Sequence, residues 1–533
     1  MTSKIKHLEE RRSRIQRERD EVKARAERNR LGQFATPVLL AKQMLQFAKK
    51  RMRPEEPVRF LDPAFGTGVF FSALISVFGE RRVQRAVGFE IDDHYGQPAR
   101  ELWGETKLRL RTEDFTACVP PGNDDKYNLI VCNPPYVRHH HLSSEQKTRL
   151  RDISRTASGG RLSGLAGLYC YFLLFANSWA EHNGICIWLV PSEFMDVNYG
   201  KAIKEYLLNE VTLIRIHRFD PKEVQFDDAL VSSSVVCFRN SPPPENSEFE
   251  FTFGGDLIKP TVTERLLTAD LKTDQKWKRQ RSRTYHAASL IRLADLFDVK
   301  RGLATGDNKF FIITPDRAAE LRLPKSFLRP ILPSPRYLRD DEVGTDANGN
   351  PSIERLLLLL DCPLPQAIVK EKYPELWEYF ESGRDDVAAG YLCRSRSPWY
   401  AQENRPAPPF LCTYMGRGNG ATSGSPFRFI LNHSRATAAN VYLLLYPKLE
   451  LRRALAAQPE LTRKIWLHLK SVSPDTFFDQ GRVYGGGLYK LEPRELGNVP
   501  ANEIAELAGL STPKRSVQLG MFSPQPEPPR ARA

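Results

Sequence analysis

Residues 60–68 read Phe60-Leu61-Asp62-Pro63-Ala64-Phe65-Gly66-Thr67-Gly68, and they lie between an apolar run and the helical pattern of residues 69–78. At such a strand-to-helix turn, glycines permit a tight bend and a close approach of the backbone to a nucleotide-like ligand. We call residues 62–68 the glycine turn and expect it to bind a ligand of that class.

The region around the glycine turn, residues 31–240, alternates apolar runs with helical patterns. This alternation is typical of parallel strands joined by crossover helices and predicts an α/β fold with a doubly wound, mostly parallel sheet. The candidate strands are residues 58–61, 86–89, 108–110, 129–132, 185–190, 213–219 and 233–238.

Acidic residues follow the next two candidate strands. Glu90 lies 22 residues beyond Gly68 at the end of the second strand, where a carboxylate can accept hydrogen bonds from both hydroxyls of a ribose. Asp114 and Phe115 close the third strand and offer an acceptor for an adenine amino group beside a ring face. Because the carboxyl ends of parallel strands share one edge of the sheet, these residues and the glycine turn predict one ligand site.

Asn133-Pro134-Pro135-Tyr136 follows the fourth candidate strand. The prolines fix φ and donate no N–H, so the Pro134 carbonyl can be held rigidly toward a ligand. The Asn133 side-chain carbonyl adds a second acceptor, and together they can hold both hydrogens of a planar amino group. Such a clamp stabilises the positive charge that develops when the amine attacks an electrophile, and Tyr136 supplies a face for the ring that bears it.

Composition narrows the class of protein. The 533 residues contain 78 Lys and Arg against 64 Asp and Glu, a net charge of +14 that favours a polyanionic partner, nucleic acid above all. The eight cysteines contain no C-x-x-C pair, which argues against a zinc ribbon and fits a reducing compartment. No apolar stretch approaches the length of a membrane span. We therefore expect a cytoplasmic protein without a membrane partner.

Changes in composition predict the domain organisation. Residues 1–30 hold eleven Lys or Arg and six Asp or Glu, which indicates a basic, solvated N-terminal arm. Three prolines at 242–244 end the α/β region, so we expect the first domain over 31–240 and a charged linker over 241–285. A second domain of mixed α/β or β-rich character is expected over 286–505, followed by a disordered tail over 506–533.

Residues 31–240 resemble the class I S-adenosylmethionine-dependent N6-adenine DNA methyltransferases of the gamma, TaqI-like type found in bacterial restriction-modification systems. In that family, residues 33–37 match motif X, 62–68 motif I, 90–91 motif II, 114–115 motif III, 133–136 motif IV and 226–232 motif VIII. The resemblance implies S-adenosylmethionine as cofactor, bound by Thr36, Asp62, Pro63, Ala64, Phe65, Gly66, Gly68, Glu90, Ile91, Asp114, Phe115 and Pro135. It implies that the target base is held by Asn133, Pro134, Pro135, Tyr136 and Phe226. We also expect no metal site, because the adjacent histidines at 139–141 cannot all face one ion.

The resemblance further implies a site-specific DNA adenine N6-methyltransferase that acts on double-stranded DNA, with a restriction endonuclease encoded separately. Residues 299–311 resemble the start of the target recognition domain in these enzymes. Around residues 417–420, Arg428 and Asn432-His433 the chain has residue types that suit base edges and phosphates.

Three alternatives stay open at this point. Asn-Pro-Pro-Tyr also occurs in glutamine methyltransferases acting on release factors and in some RNA methyltransferases. These enzymes are usually shorter, so this alternative would not account for residues 286–500. A fusion of methyltransferase and nuclease is disfavoured because we find no convincing Pro-Asp with a following Glu-x-Lys. A catalytically inactive DNA-binding subunit is disfavoured because the amine clamp is intact.

Overall fold

The computed structural model describes residues 3–158, 162–163, 166–220, 232–271, 273, 277, 291–417, 425–484 and 488–510. The chain divides into two compact units, Met1–Arg283 with Arg482–Lys490, and Thr284–Gly481 with Leu491–Ala533. Within the described ranges, no helix is both long enough and apolar enough to cross a membrane.

The first unit is built on a nine-stranded sheet with the order β3-β2-β1-β4-β5-β7-β6-β8-β9. Strands β1 to β5 pair in parallel, and β7 lies antiparallel between β5 and β6. This arrangement confirms the expected class I methyltransferase fold, and every candidate strand corresponds to a strand of the sheet. The strands are β1 (Val58–Asp62), β2 (Val83–Phe89), β3 (Leu108–Arg111), β4 (Tyr127–Cys132), β5 (Ala180–Pro191), β6 (Thr212–Arg218), β7 (Ser233–Arg239), β8 (Glu248–Gly255) and β9 (Pro260–Leu267).

Helices cover both faces of this sheet, as the apolar runs predict. Every residue of β4 is buried, which is the pattern of a strand enclosed on both faces. The helices are α1 (Ser3–Val22), α2 (Arg25–Leu31), α3 (Val38–Lys49), α4 (Val69–Phe78), α5 (Asp93–Trp103), α6 (Ser144–Ser158), α7 (Leu168–Ala176) and α8 (Lys201–Asn209). The carboxyl ends of β1 to β4 bring residues 62, 89, 111 and 132 to one edge of the sheet.

The structure differs from the sequence expectation over the first 30 residues. Helix α1 does not stand free in solvent, because Ile5, Leu8 and Ile15 pack against the core of the first unit. Glu9 and Arg12 lie on the same side of α1 and are 8% and 4% exposed. Most of the positions between these residues are exposed, including Lys6, Glu10, Arg11 and Arg14, so the helix has a narrow buried stripe that composition alone does not reveal.

The structure also differs over the expected linker. Residues 248–267 form the antiparallel pair β8 and β9, and β8 pairs in parallel with β6. Phe249 and Phe251 are buried in β8, whereas Glu248 is exposed. This alternation is the signature of a strand with one covered face, so the segment extends the first sheet beyond the three prolines.

The second unit has mixed α/β character, as expected. It contains a five-stranded sheet, β10-β19-β15-β17-β13, and a four-stranded sheet, β11-β14-β12-β18. Its strands are β10 (Phe297–Arg301), β11 (Ile312–Ile313), β12 (Leu328–Leu332), β13 (Glu342–Val343), β14 (Leu357–Leu360), β15 (Phe410–Thr413), β16 (Met415–Arg417), β17 (Phe429–Asn432), β18 (Thr437–Ala438) and β19 (Tyr442–Pro447). Strands β20 (Arg482–Tyr484) and β21 (Leu488–Lys490) pair antiparallel and belong to the first unit.

Short helices complete the second unit. They are α9 (Leu293–Leu296), α10 (Asn308–Phe311), α11 (Pro315–Glu320), α12 (Gln366–Lys372), α13 (Pro374–Ser382), α14 (Tyr391–Arg394), α15 (Leu449–Ala457), α16 (Glu460–Ser471), α17 (Pro474–Gln480), α18 (Pro493–Gly497) and α19 (Asn502–Leu507). Stacked rings such as Phe380 on Tyr400, with centroids 4.0 Å apart, belong to the core around the four-stranded sheet.

Candidate active site

A cavity of about 600 Å³ lies at the carboxyl edge of the first sheet. This volume is typical of pockets for small molecules and cofactors. Its wall includes most of the residues that the sequence singled out: Thr36, Pro63, Ala64, Phe65, Gly66, Glu90, Ile91, Asp114, Phe115, Asn133 and Pro135. Asp62, Gly68, Pro134 and Tyr136 fall outside the described wall, and Phe226 lies outside the described residues.

The glycine turn and Glu90 are joined by a hydrogen bond. Gly66 adopts a φ of 56°, in the left-handed region where a side chain is disfavoured, and this turns its N–H toward Glu90 Oε2 at 2.7 Å. Asp92 N donates to Glu90 Oε1 at 2.9 Å. The Glu90 carboxylate is therefore held at the cavity wall by one backbone donor on each oxygen.

Burial raises the pKa of Glu90 to about 7, although the backbone N–H groups of Asp92 and Gly66 oppose this shift. Asp62, at the end of β1, is fully buried, and burial also raises its pKa well above the ordinary value. Asp62 Oδ1 accepts from Ala64 N at 3.2 Å. This bond holds the first residues of the turn.

Residues 90–92, which we call the acidic loop, are anchored by Asp92. The Asp92 carboxylate caps α5 by accepting from His94 N at 3.0 Å, and its Oδ2 accepts from Lys23 Nζ at 2.5 Å and Gln33 Nε2 at 2.8 Å. Burial raises the pKa of Asp92, but the Lys23 and Gln33 donors outweigh burial and leave it below the ordinary value. Asp92 thus remains ionised and ties the acidic loop to the N-terminal segment.

Asp114 is engaged by a residue that the sequence analysis missed. Its Oδ1 accepts from the backbone and hydroxyl of Thr116, and its Oδ2 accepts from Arg149 on α6 at 2.6 Å. Burial raises the pKa of Asp114, and the Arg149 guanidinium and Thr116 more than offset the rise. Nothing in the pattern of α6 distinguishes Arg149 from its charged neighbours, because the pairing depends on tertiary structure alone.

The Asn133 side chain has a fixed orientation. Its Nδ2 donates to the Phe34 carbonyl oxygen and to Thr36 Oγ1, both at 3.0 Å. Because a carbonyl only accepts, the amide nitrogen must face Phe34 and the oxygen must point the other way. Asn133 Oδ1 is buried and finds no hydrogen-bond partner within the described part of the chain. An acceptor is therefore available beside the cavity.

The backbone after Asn133 is also fixed, by contacts with Gly32. Tyr136 N donates to the Gly32 carbonyl oxygen at 3.1 Å. Gly32 has a φ of 65°, and a Cβ at this position would lie 2.3 Å from Tyr136 N. The buried Tyr136 hydroxyl donates to the Leu189 carbonyl oxygen at 3.1 Å, and its ring lies 5.6 Å from that of Phe34. Residues 32–36 therefore hold residues 133–136 in place beside the cavity.

Comparisons with known proteins find relatives over most of the chain. The model of the Eco57I restriction-modification methylase family matches residues 86–225, and that of the C-terminal domain of the Type II methyltransferase M.Eco57I matches residues 278–517. The Type II methyltransferase M.AccI from Acinetobacter calcoaceticus is 27% identical over 88% of this chain and 85% of its own length. The Type II methyltransferase M.XamI from Xanthomonas campestris pv. amaranthicola is 28% identical over 88% and 84%.

Over both matched regions the chain resembles the DNA methyltransferases of restriction-modification systems. The solved structure of the type IIG restriction endonuclease BpuSI is also similar to this methyltransferase, at 15% identity over 89% of this chain and 60% of that chain, with a TM-score of 0.41.

The cofactor of this methyltransferase is S-adenosylmethionine, and the cavity has acceptors that fit it. The cofactor carries ribose hydroxyls, an adenine amino group and an ammonium group, all of which are donors. Glu90 and Asp114 place carboxylates in the wall. Gln33, also in the wall, has a buried Oε1 that lacks a hydrogen-bond partner among the described residues.

Two residues of the second unit that were expected to suit base edges and phosphates, Arg428 and Asn432, instead bond to other parts of the protein. Arg428 pairs with Asp341 at 2.8 Å and donates to the carbonyl oxygens of Pro335 and Leu338, so it holds the chain before β13. Asn432 is buried, and its Nδ2 donates to the carbonyl oxygens of Pro408 and Ala436. Their polar groups stabilise loops rather than face a ligand. His433 is exposed and lies 3.2 Å from Glu342; residues 418–420 lie outside the described ranges.

Proposed function

We propose that this methyltransferase methylates the N6 amine of an adenine turned out of double-stranded DNA at a specific sequence. One observation carries the proposal: Asn133 presents a buried amide oxygen, unpartnered among the described residues, while Phe34 and Thr36 hold its nitrogen. A buried acceptor left unsatisfied is costly, so a ligand donor is the natural partner for it.

The proposed chemistry begins with the amine. Its lone pair is delocalised into the adenine ring, which makes it a poor nucleophile. Asn133 Oδ1 and the Pro134 carbonyl accept its two hydrogens and so favour a geometry in which the lone pair is localised on nitrogen. These acceptors bind most strongly when positive charge develops on that nitrogen, which lowers the barrier. The proton leaves after attack, so the proposal assigns no side chain as a general base.

S-adenosylmethionine supplies the methyl group from its sulfonium. In the proposal, the two oxygens of Glu90 accept the ribose hydroxyls and Asp114 accepts from the adenine amino group of the cofactor. Phe115 and Ile91 pack against its ring, and the backbone of the glycine turn approaches the amino-acid part. Thr36 and Pro135 close the site between cofactor and target.

Base flipping is part of the proposal because an amine in a stacked base pair cannot reach the cavity. Turning out one nucleotide costs a few kcal/mol, which stacking on protein rings partly offsets. Tyr136 is assigned to this stacking, with Phe226 on the other face. The hydroxyl bond from Tyr136 to Leu189 supports the role, since it holds the ring in one orientation before a base arrives.

The net charge of +14 supports duplex DNA as the substrate, since phosphate contacts supply much of the affinity of such complexes. We further propose that a restriction endonuclease encoded separately shares the recognition sequence. The methyl mark would then protect the host DNA from that partner.

The test is a nucleoside analysis. Unmodified duplex DNA is incubated with the protein and S-adenosylmethionine carrying an isotopic methyl group, then digested and resolved by mass spectrometry. We expect the label in N6-methyladenine, and long-read sequencing of the same DNA should show one sequence context. Label in N4-methylcytosine, in RNA or in a protein glutamine would refute the proposal.

A matched pair of variants tests the role of Asn133. Asn133→Ala removes the amide oxygen and should abolish methyl transfer while cofactor and DNA affinity change little. Asn123→Ala, at an exposed position of the same unit, should retain full activity. An active Asn133→Ala variant would contradict the proposed clamp even if the product were N6-methyladenine.

A further inference from the structure

We infer that helix α1 and Lys23, the residue directly after it, are part of the cofactor site, and that their polar side chains hold the glycine turn and the acidic loop around the cofactor. The cavity wall includes Arg12, Gln16 and Asp20 from this helix and Lys23 directly after it. The family models match from residue 86 onward, so neither assigns a role to α1.

The first contact is made to the glycine turn through Thr67. Arg12 Nη1 donates to Thr67 Oγ1 at 2.9 Å, and the Thr67 hydroxyl donates to Gln16 Oε1 at 2.7 Å. Arg12 is itself fixed by Glu9, whose carboxylate accepts from its Nε and Nη2. Thr67 follows Gly66, whose N–H donates to Glu90, so α1 holds the turn next to that hydrogen bond.

The second contact is made to the acidic loop. Lys23 Nζ and Asp92 Oδ2 lie 2.5 Å apart, and both side chains are largely buried, so solvent and salt screen this pair less than a surface ion pair. Asp92 N in turn donates to Glu90. Both contacts, one from α1 and one from Lys23, therefore converge on Glu90, the first through Gly66 and the second through Asp92.

The third contact fixes α1 on helix α5. Tyr95 donates its hydroxyl hydrogen to Asp20 at 2.8 Å, and the His94 ring lies 2.9 Å from the Arg19 carbonyl oxygen. Helix α5 begins directly after the acidic loop. Helix α1 thus contacts the glycine turn and α5, and Lys23 directly after it contacts the acidic loop. Gln16 and Lys23 are positioning residues for cofactor binding.

The test measures the cofactor alone, without DNA, so that it does not depend on which base is methylated. Lys23→Met keeps the apolar stem and removes the ammonium, and Gln16→Met removes the acceptor for Thr67. Each variant should weaken S-adenosylmethionine binding by about fivefold, the effect of one lost hydrogen bond, and should accelerate its release. Calorimetry gives the affinity, and a chase with unlabelled cofactor gives the dissociation rate.

The controls separate positioning from general stability. Lys6→Met lies on the same helix at a side chain that is 73% exposed and should bind as the parent does. Lys23→Arg keeps the charge and should restore binding to within about twofold. At saturating cofactor, Lys23→Met and Gln16→Met should keep the parental kcat while KM for the cofactor rises. Parental affinity and release rates in both Met variants, with the folded state verified by thermal melting, would overturn the inference.

Discussion

Cofactor affinity should depend on pH through Glu90. The pKa of this carboxyl is about 7 because burial disfavours its charged form. The ionised carboxylate accepts the ribose hydroxyls, whereas the protonated form retains less acceptor capacity. Affinity should therefore be full above pH 7 and should fall as pH decreases through 7.

The magnitude follows from the fraction of Glu90 that is ionised. With a pKa near 7, about nine-tenths is ionised at pH 8 and about one-tenth at pH 6. If only the ionised form binds, the affinity at pH 6 is about one-tenth of that at pH 8, a difference of about 1.4 kcal/mol.

The assay must distinguish the titration of Glu90 from the titration of the cofactor itself. The α-amino group of S-adenosylmethionine titrates close to this range, so 5′-methylthioadenosine, which has the same ribose and adenine but lacks that group, is the matched probe. Calorimetry from pH 6 to 8 should give the tenfold change with either ligand. Glu90→Gln should bind more weakly at pH 8 and lose the pH dependence. A parental protein with constant affinity, or a Glu90→Gln variant with the same slope, would refute the reasoning.

Four further predictions follow from the site. Thr36→Val removes one acceptor of the Asn133 amide and should lower single-turnover methylation about fivefold at saturating cofactor, whereas Thr36→Ser should keep it. Gly32→Ala places a Cβ against Tyr136 N and should lower the free energy of unfolding by about 1–3 kcal/mol in a thermal melt. Tyr136→Phe should keep most of the activity, whereas Tyr136→Ala should lose base stacking worth about 1–3 kcal/mol in an assay with a fluorescent base analogue. The affinity for duplex DNA should fall steeply in a salt series, and a flat response would point to another substrate.

The positions of the ligand-facing turns were predictable because their signals are local. The glycine turn, Glu90 and the segment after Cys132 each follow an apolar strand directly, so the order of strands along the chain suffices to bring them to one edge. The orientation of the Asn133 amide was not predictable, because it depends on Phe34 and Thr36.

Helix α1 and strands β8 and β9 show where composition misleads. Helix α1 has few apolar residues, and Arg12 is buried only because Glu9 and Thr67 supply partners that lie on the same helix and on a distant turn. Residues 248–267 lie within the stretch expected as a charged linker, yet Phe249 and Phe251 are buried on one face of strand β8. In both segments a narrow buried stripe determines the structure, and the average composition of the segment does not reveal that stripe.

The bonds between residues 32–36 and the Asn-Pro-Pro-Tyr segment have a consequence for synthesis of the protein. Phe34 and Asn133 are separated by 99 positions in the chain, and Lys23 and Asp92 by 69. A nascent chain that has emerged from the ribosome as far as β3 lacks the strand that carries Asn133, so residues 32–36 are still without their partners. Contacts between residues so far apart in the sequence form slowly compared with the local contacts of helices. The amine clamp is therefore completed late, and S-adenosylmethionine cannot assist the earliest folding steps by binding a finished site.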